Sequence, residues 1–405
     1  MIADDVACTE PRKLAPIATY KTLDVWRAIA AILVVFRHIG GTYYTDHYLY
    51  KPATPSLRTA FWTVIGCGGA GIWIFFVISG FCICHAACRC IARGTGTSVF
   101  LNARLRRIYP TYIAAFFLNL AVMSTAYYMV DHHLIRHSTT VSHGALNLSP
   151  YNLAANLTLG YHLFPGSDAL LVVSWTLAYE IAFYVVTGAA IWGVKSELGL
   201  LYRLHAITLV CICCDLVFPG HTPYPFDLWP AFGMGVVVYH MIRDKSNVGA
   251  VRLGLYMLMA QALLILRSES LLSHTIYGDN ALLIILFSGC LVVLHPYDRA
   301  LMQQKALKWL AFIGTFSYSL YLVHLPITAA TTALLKRVLP GHYIPVMFLV
   351  DIPLAVFFSW LFFVLVERHF LSAGAQNRMV EERAVTPGES SGEAQKATAQ
   401  SSQVQ

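Results

Sequence analysis

Ten apolar runs recur along this chain, each of about the 20 residues that a bilayer-crossing helix needs. They fall at 22–41, 61–86, 109–130, 172–193, 201–218, 226–242, 252–267, 279–296, 308–334 and 344–366. In hydrocarbon every backbone N–H and C=O must be paired inside the segment or around a closed barrel. Barrel strands need only about 9–11 residues, so runs of this length are helices. The expected fold is therefore all-α: a polytopic integral membrane protein with about ten transmembrane helices. Composition agrees where lipid is most exacting, with 12% charged residues against about a quarter in soluble domains. The least marked runs are 201–218 and 226–242, separated by the Pro-rich turn PGHTPYPFD.

Orientation follows from the loops. One set carries Arg12, Lys13 and Lys21, then Arg89, Arg93, Arg104, Arg106 and Arg107. It continues with Lys195, Arg203, Arg243, Lys245, Arg252, Arg299, Lys305, Lys308, Arg368 and Arg378. The alternate loops hold only Lys51, Arg58, Arg136, Arg267, Lys336 and Arg337. The positive-inside rule then places both termini in the cytosol. It also accounts for the net charge of +7 without nucleic acid as a partner.

Three segments lie outside the spans: a polar cytoplasmic start (1–21), a long extracytoplasmic loop (131–171), and a Ser-, Gln-, Ala- and Glu-rich tail (371–405) that reads as disordered. Residues 22–370 form the transmembrane domain. The first 21 residues lack a short apolar core with a small-residue cleavage site, so the first helix is expected to act as its own insertion signal. The loop's five histidines (His132, His133, His137, His143, His162) read as solvated polar residues, and its aromatics could stack on sugar rings. Most cysteines lie within apolar runs, as small hydrophobes do. CICHAACRC (82–90) lacks a standard zinc spacing, so no metal site is expected.

Ionisable residues inside spans are the functional candidates. RAIAAILVVFRH (27–38) opens on Arg27 and closes on His38. Eleven residues make three turns plus about 20°, so both side chains share one helix face about 16 Å apart along the axis. Arg27 could equally snorkel, and His38 could simply bond a neighbouring helix. Arg104 and Arg107, one turn apart at the inner mouth of the third span, can converge on one phosphate, or serve only as positive-inside decoration. In SWTLAYEIAFY, Glu180 lies in the outer half of a helix entering from outside, where a carboxylate needs a partner. In FSYSLYLVHLP, His324 falls about 24 Å up a helix beginning near 308. IGCGGAGIWIFFVISG (65–80) carries small residues suited to close helix packing. Its Ser79 lacks a local base signature as a nucleophile.

As a set, Arg-x10-His in the first helix, FFVISGF (75–81), Arg104-x-x-Arg107-Ile-x-Pro-x-Tyr, SWTLAYE and FSYSLYLVH resemble the membrane-bound acyltransferase 3 family, in order over about residues 22–367. Within it the chain resembles the branch that O-acetylates bacterial exopolysaccharides, O-antigen and related glycans in the inner membrane. The resemblance implies an acyl-CoA donor, usually acetyl-CoA, as substrate rather than a bound cofactor, and it marks Arg27 and His38 as essential. The acceptor would be a glycan or lipid-linked sugar, met among membrane lipids and alongside polysaccharide-biosynthesis machinery. On that reading Arg104 and Arg107, with Arg27, hold CoA phosphates, and His38 is the general base. Glu180 orients His38, and His324 is a second base or a structural hydrogen bond. The competing reading is a secondary transporter or glycan-export component with an intramembrane Arg/His/Glu pathway; paired Gly/Pro-broken helices in two related halves are not apparent.

Overall fold

The computed structural model describes residues 20–48, 67–132, 146–243, 248–271, 278–339 and 343–371. Among the described residues the only regular secondary structure is helix, without a strand. Each of the ten apolar runs meets a helix within its described part: α1 (Leu23–Tyr48), α2 (Ala70–Ala92), α3 (Thr97–Asp131), then a short α4 (Pro150–Leu157) in the outer loop. These are followed by α5 (Trp175–Ile191), α6 (Glu197–Val217), α7 (Trp229–Arg243), α8 (Val248–Leu271), α9 (Gly278–Leu294) and a single turn, α10 (Asp298–Leu301). The chain closes with α11 (Lys305–Thr315), α12 (Ser317–Val338) and α13 (Tyr343–Leu365). Seven helices among the described residues are long and apolar enough to cross a membrane. The 15 residues of α7 would rise only about 22 Å, short of a hydrocarbon core of about 30 Å. The tail from 372 on, residues 1–19, and His133, His137 and His143 of the outer loop lie outside the described residues.

Packing is tightest where glycines replace side chains. A Cβ on Gly80 would press on the Phe232 carbonyl oxygen of α7, and one on Gly235 on the Val77 carbonyl oxygen of α2. Backbone meets backbone there, as small residues permit in membranes. Gly71 does the same against Ala30 of α1, whereas Gly69, in the same Gly-rich run, has nothing within 4 Å. Gly235→Val should therefore push α2 and α7 apart, at the ~1–3 kcal/mol typical of overpacking. The expected result is a lower melting temperature and less monodisperse protein on gel filtration, with Gly69→Ala unchanged.

Two sequence expectations about boundaries are corrected. The run 308–334 is not one helix: it breaks at Phe316, which leaves helical geometry and is fully buried beside Phe312 and Phe363. The new helix α12 starts under a cap that comes from far along the chain. Glu367 accepts from the Ser319 backbone N–H at 3.2 Å and from its hydroxyl at 2.6 Å. His324 is thus seven residues into α12, about 10 Å from its start rather than 24 Å. The third span likewise begins at Thr97, and only 93–96 link α2 to α3. Arg104 and Arg107 stand in the second and third turns of a continuous 35-residue helix.

In the outer loop the described histidines, His132 and His162, are exposed as expected, whereas Asn152 and Asn156 within 146–174 are completely buried. The Asn156 amide donates to Asn152 O and Asp168 O, and its oxygen accepts from Leu170 N and the Tyr161 hydroxyl. One side chain thereby satisfies the irregular backbone, which must be paired when it is buried. Three α3 side chains latch the loop down: Tyr109 on Leu157 O, Tyr112 on Asn156 O and Asn119 on Leu170 O. His162 is stacked on Tyr224, ring centroids 3.8 Å apart, and partial burial lowers its pKa.

Candidate active site

Five helices enclose one cavity. Arg27 enters from α1; Ser79 and Cys82 from α2; Arg104 and Arg107 from α3; Glu180 and Tyr184 from α5; Tyr318 and Tyr321 from α12. Phe75, Phe76 and Leu177 give it an apolar wall. It spans roughly 830 Å³ with the open solvent at its mouth included.

Local structure explains how each charge is aimed. The buried Asp298 carboxylate accepts from the Thr22 backbone N–H at 2.8 Å and the Lys21 N–H at 3.0 Å, so a distant acid caps the start of α1. One turn on, Arg27 donates to Asp24 at 2.9 Å and to the Cys82 sulfur at 3.3 Å. Arg104 and Arg107 share a face of α3, and Arg104 lies over the Phe100 ring. Neither has a carboxylate within 4 Å among the described residues. Just beyond them, Pro110 removes one N–H from the α3 ladder. The Tyr318 hydroxyl ties α12 to α3 by donating to Ile108 O at 3.0 Å. The N-terminal end of α12, marked by Ser317, borders the cavity and adds partial positive charge, answered in part by Glu367.

The structure regroups the residues expected from sequence. Arg27, Arg104, Arg107, Ser79 and Glu180 share the cavity; His38 and His324 do not line it. Glu180 accepts from the Tyr184 hydroxyl at 2.7 Å and, at 3.5 Å, from Ser79. It lines the cavity with the arginines, while His38 packs against His324, ring centroids 5.1 Å apart. His324 Nδ1 lies 3.0 Å from Leu320 O. A carbonyl only accepts, so Nδ1 carries the proton and Nε2 presents its lone pair. Tyr321 links the two compartments: its ring forms part of the cavity wall and lies 6.2 Å from His324. Its hydroxyl is held by Thr176 at 2.8 Å and Val173 O at 3.0 Å.

Sequence reading passed over Cys82, Tyr184, Tyr321 and Glu367. Glu367 had a usable signal, an acid at the end of the last apolar run. The tyrosines had none beyond lying within the quoted motifs.

An all-helical membrane protein with an arginine-lined cavity beside a histidine pair, His324 buried and His38 half-buried, has the parts of a membrane-bound transferase for an anionic donor. Comparison makes the class specific: the acyltransferase domain family, acyltransferase 3, matches residues 20–367, and the chain belongs to it. It is a multi-pass membrane acyltransferase. Over 207 residues it is 28% identical to protein 2 in the picA locus of Rhizobium radiobacter, covering 49% of this chain and 95% of that protein. No solved structure matches the chain.

Proposed function

We propose that the protein transfers an acyl group, acetyl first among candidates, from cytosolic acyl-CoA to a hydroxyl of a glycan presented on the outer face of the bacterial inner membrane. The supporting observation is the pair of guanidiniums, Arg104 and Arg107, that face one cavity without a carboxylate partner. Two such forks suit the phosphates of CoA, with Arg27 as a third cation. The loop charges put that end of α3 on the cytosolic side, where acyl-CoA is found.

From there the pantetheine arm runs between Ser79 and Tyr321, which brings the thioester towards the histidine pair. His38 takes the acceptor's proton, the hydroxyl oxygen attacks the thioester carbonyl, and the carbon–sulfur bond breaks. The proton ends on the CoA thiolate, so nothing else is consumed. Glu180 holds Ser79 and Tyr184 in place at the bend of this path, and direct transfer needs no acyl-enzyme on Ser79.

The test is the acetate content of surface and secreted glycans, measured by NMR in cells with and without the gene, together with transfer of labelled acetyl from acetyl-CoA by the purified chain. Gene-dependent acetate and CoA-dependent transfer are expected. A solute flux that proceeds without CoA, with glycan acetate unchanged, would establish the transporter reading instead.

A further inference from the structure

The seam where α1, α12 and α13 meet holds a titratable group that the cavity does not use. Val35 and Ile39 of α1, Leu320 of α12, and Met347 and Ala355 of α13 form one buried apolar cluster. The polar residues on these helices interrupt the same rows. His38 directly precedes Ile39, and His324 is one turn after Leu320. Asp351 is one turn from both Met347 and Ala355, so it faces the same seam.

Asp351 has no solvent exposure. One carboxylate oxygen accepts from the Thr328 hydroxyl at 2.8 Å; the other is buried and makes no hydrogen bond of normal geometry, although the Thr331 hydroxyl also faces the carboxylate. Thr328 stands one turn beyond His324, whose Nε2 is also buried and unpartnered. No lysine or arginine lies within 4 Å of Asp351 among the described residues. An ionised acid left this way in a span is costly unless a cation answers it, the alternative being that it takes up a proton. Arg37 on α1 and Tyr321 on α12 bear on the histidine pair, and Asp351 on α13 reaches towards it through Thr328, one turn beyond His324.

We propose that Asp351 is the counter-charge of the His38–His324 pair. It is a positioning residue whose carboxylate stabilises the imidazolium formed while the pair holds the acceptor's proton. The inference rests on the reading of His38 as the base. The proton passes from the acceptor hydroxyl to the pair and then to the departing thiolate, while Asp351 stays ionised and the Thr328 hydroxyl fixes its orientation.

The test uses the full chain in lipid nanodiscs with ¹⁵N-labelled histidine, titrated by NMR, alongside acyl-transfer kinetics. Asp351→Asn keeps the size and, through its carbonyl, the Thr328 bond, but not the charge. The imidazolium signals of the pair should then disappear at a pH lower by about one unit or more, a tenfold loss of imidazolium stability. The kcat should fall at least as much with KM for acyl-CoA unchanged, and Asp351→Glu should restore most of it. Thr328→Val should shift the titration the same way by less. Identical histidine titrations in the parent and Asp351→Asn would overturn the proposal, as would a loss confined to KM. Should Asp351→Asn fail to accumulate, an unshifted Thr328→Val titration overturns it equally. A parent chain that shows the linked titration but transfers nothing from acyl-CoA would sink the donor reading and leave the Asp351 link standing.

Discussion

Replacing His38 by alanine is expected to cut acyl transfer by about 10²–10⁴-fold, the contribution of a positioned general base, while the protein still inserts and accumulates. Two features of the structure argue for this separation. His38 lies in the α1–α12–α13 seam against His324, outside the cavity assigned to the donor, so KM for acyl-CoA should hold while kcat falls. His324→Ala should be the milder lesion, because one base suffices for the proton and His324 holds its own tautomer through Leu320 O. Wild-type transfer by His38→Ala would remove His38 from the chemistry. If only His324→Ala were inactive, the base would be His324, through the Nε2 that its carbonyl bond leaves bare.

The helices were legible because lipid enforces them: an apolar run of 20 residues has few alternatives to spanning as a helix. Single-helix geometry was also sound, since an eleven-residue step puts Arg27 and His38 on one face whatever surrounds it. What sequence could not show were the relations between helices. Glu180 and His38 look like partners in a depth count, yet their helices present them to different compartments. Depth along a helix carries no information about which neighbour is faced. The break at Phe316 was hidden for a similar reason. Its cap, Glu367, arrives 48 positions downstream of Ser319, and no window over 308–334 contains it. In the outer loop the described histidines are solvated as expected, but no local pattern showed that Asn152 and Asn156 are buried and spend their amides on loop and helix carbonyls. Asp351 was legible in the sequence. A lone acid in the most apolar helix of the chain is a functional candidate on energetic grounds alone.

Arg104→Ala combined with Arg107→Ala should raise the acyl-CoA concentration needed for half-maximal rate by 100-fold or more. Each charge-assisted bond is worth roughly 1.5–3 kcal/mol, and two lost together exceed what a rim charge contributes. Arg106 supplies the internal control, since it sits between them on the same helix, is exposed, and does not line the cavity. Arg106→Ala should leave both substrates' requirements within about twofold, as surface substitutions usually do. The donor dependence of the parent should weaken as salt rises, because phosphate contacts at a cavity mouth are screened within about 8–10 Å at physiological ionic strength. In the double variant that salt dependence should nearly vanish. If acceptor and donor requirements rise together, or if Arg106→Ala does as much harm, then α3 has been displaced rather than disarmed. If donor dependence is unchanged in a well-folded double variant, the cavity does not grip CoA, and the route from cytosolic thioester to outer hydroxyl must enter the protein elsewhere.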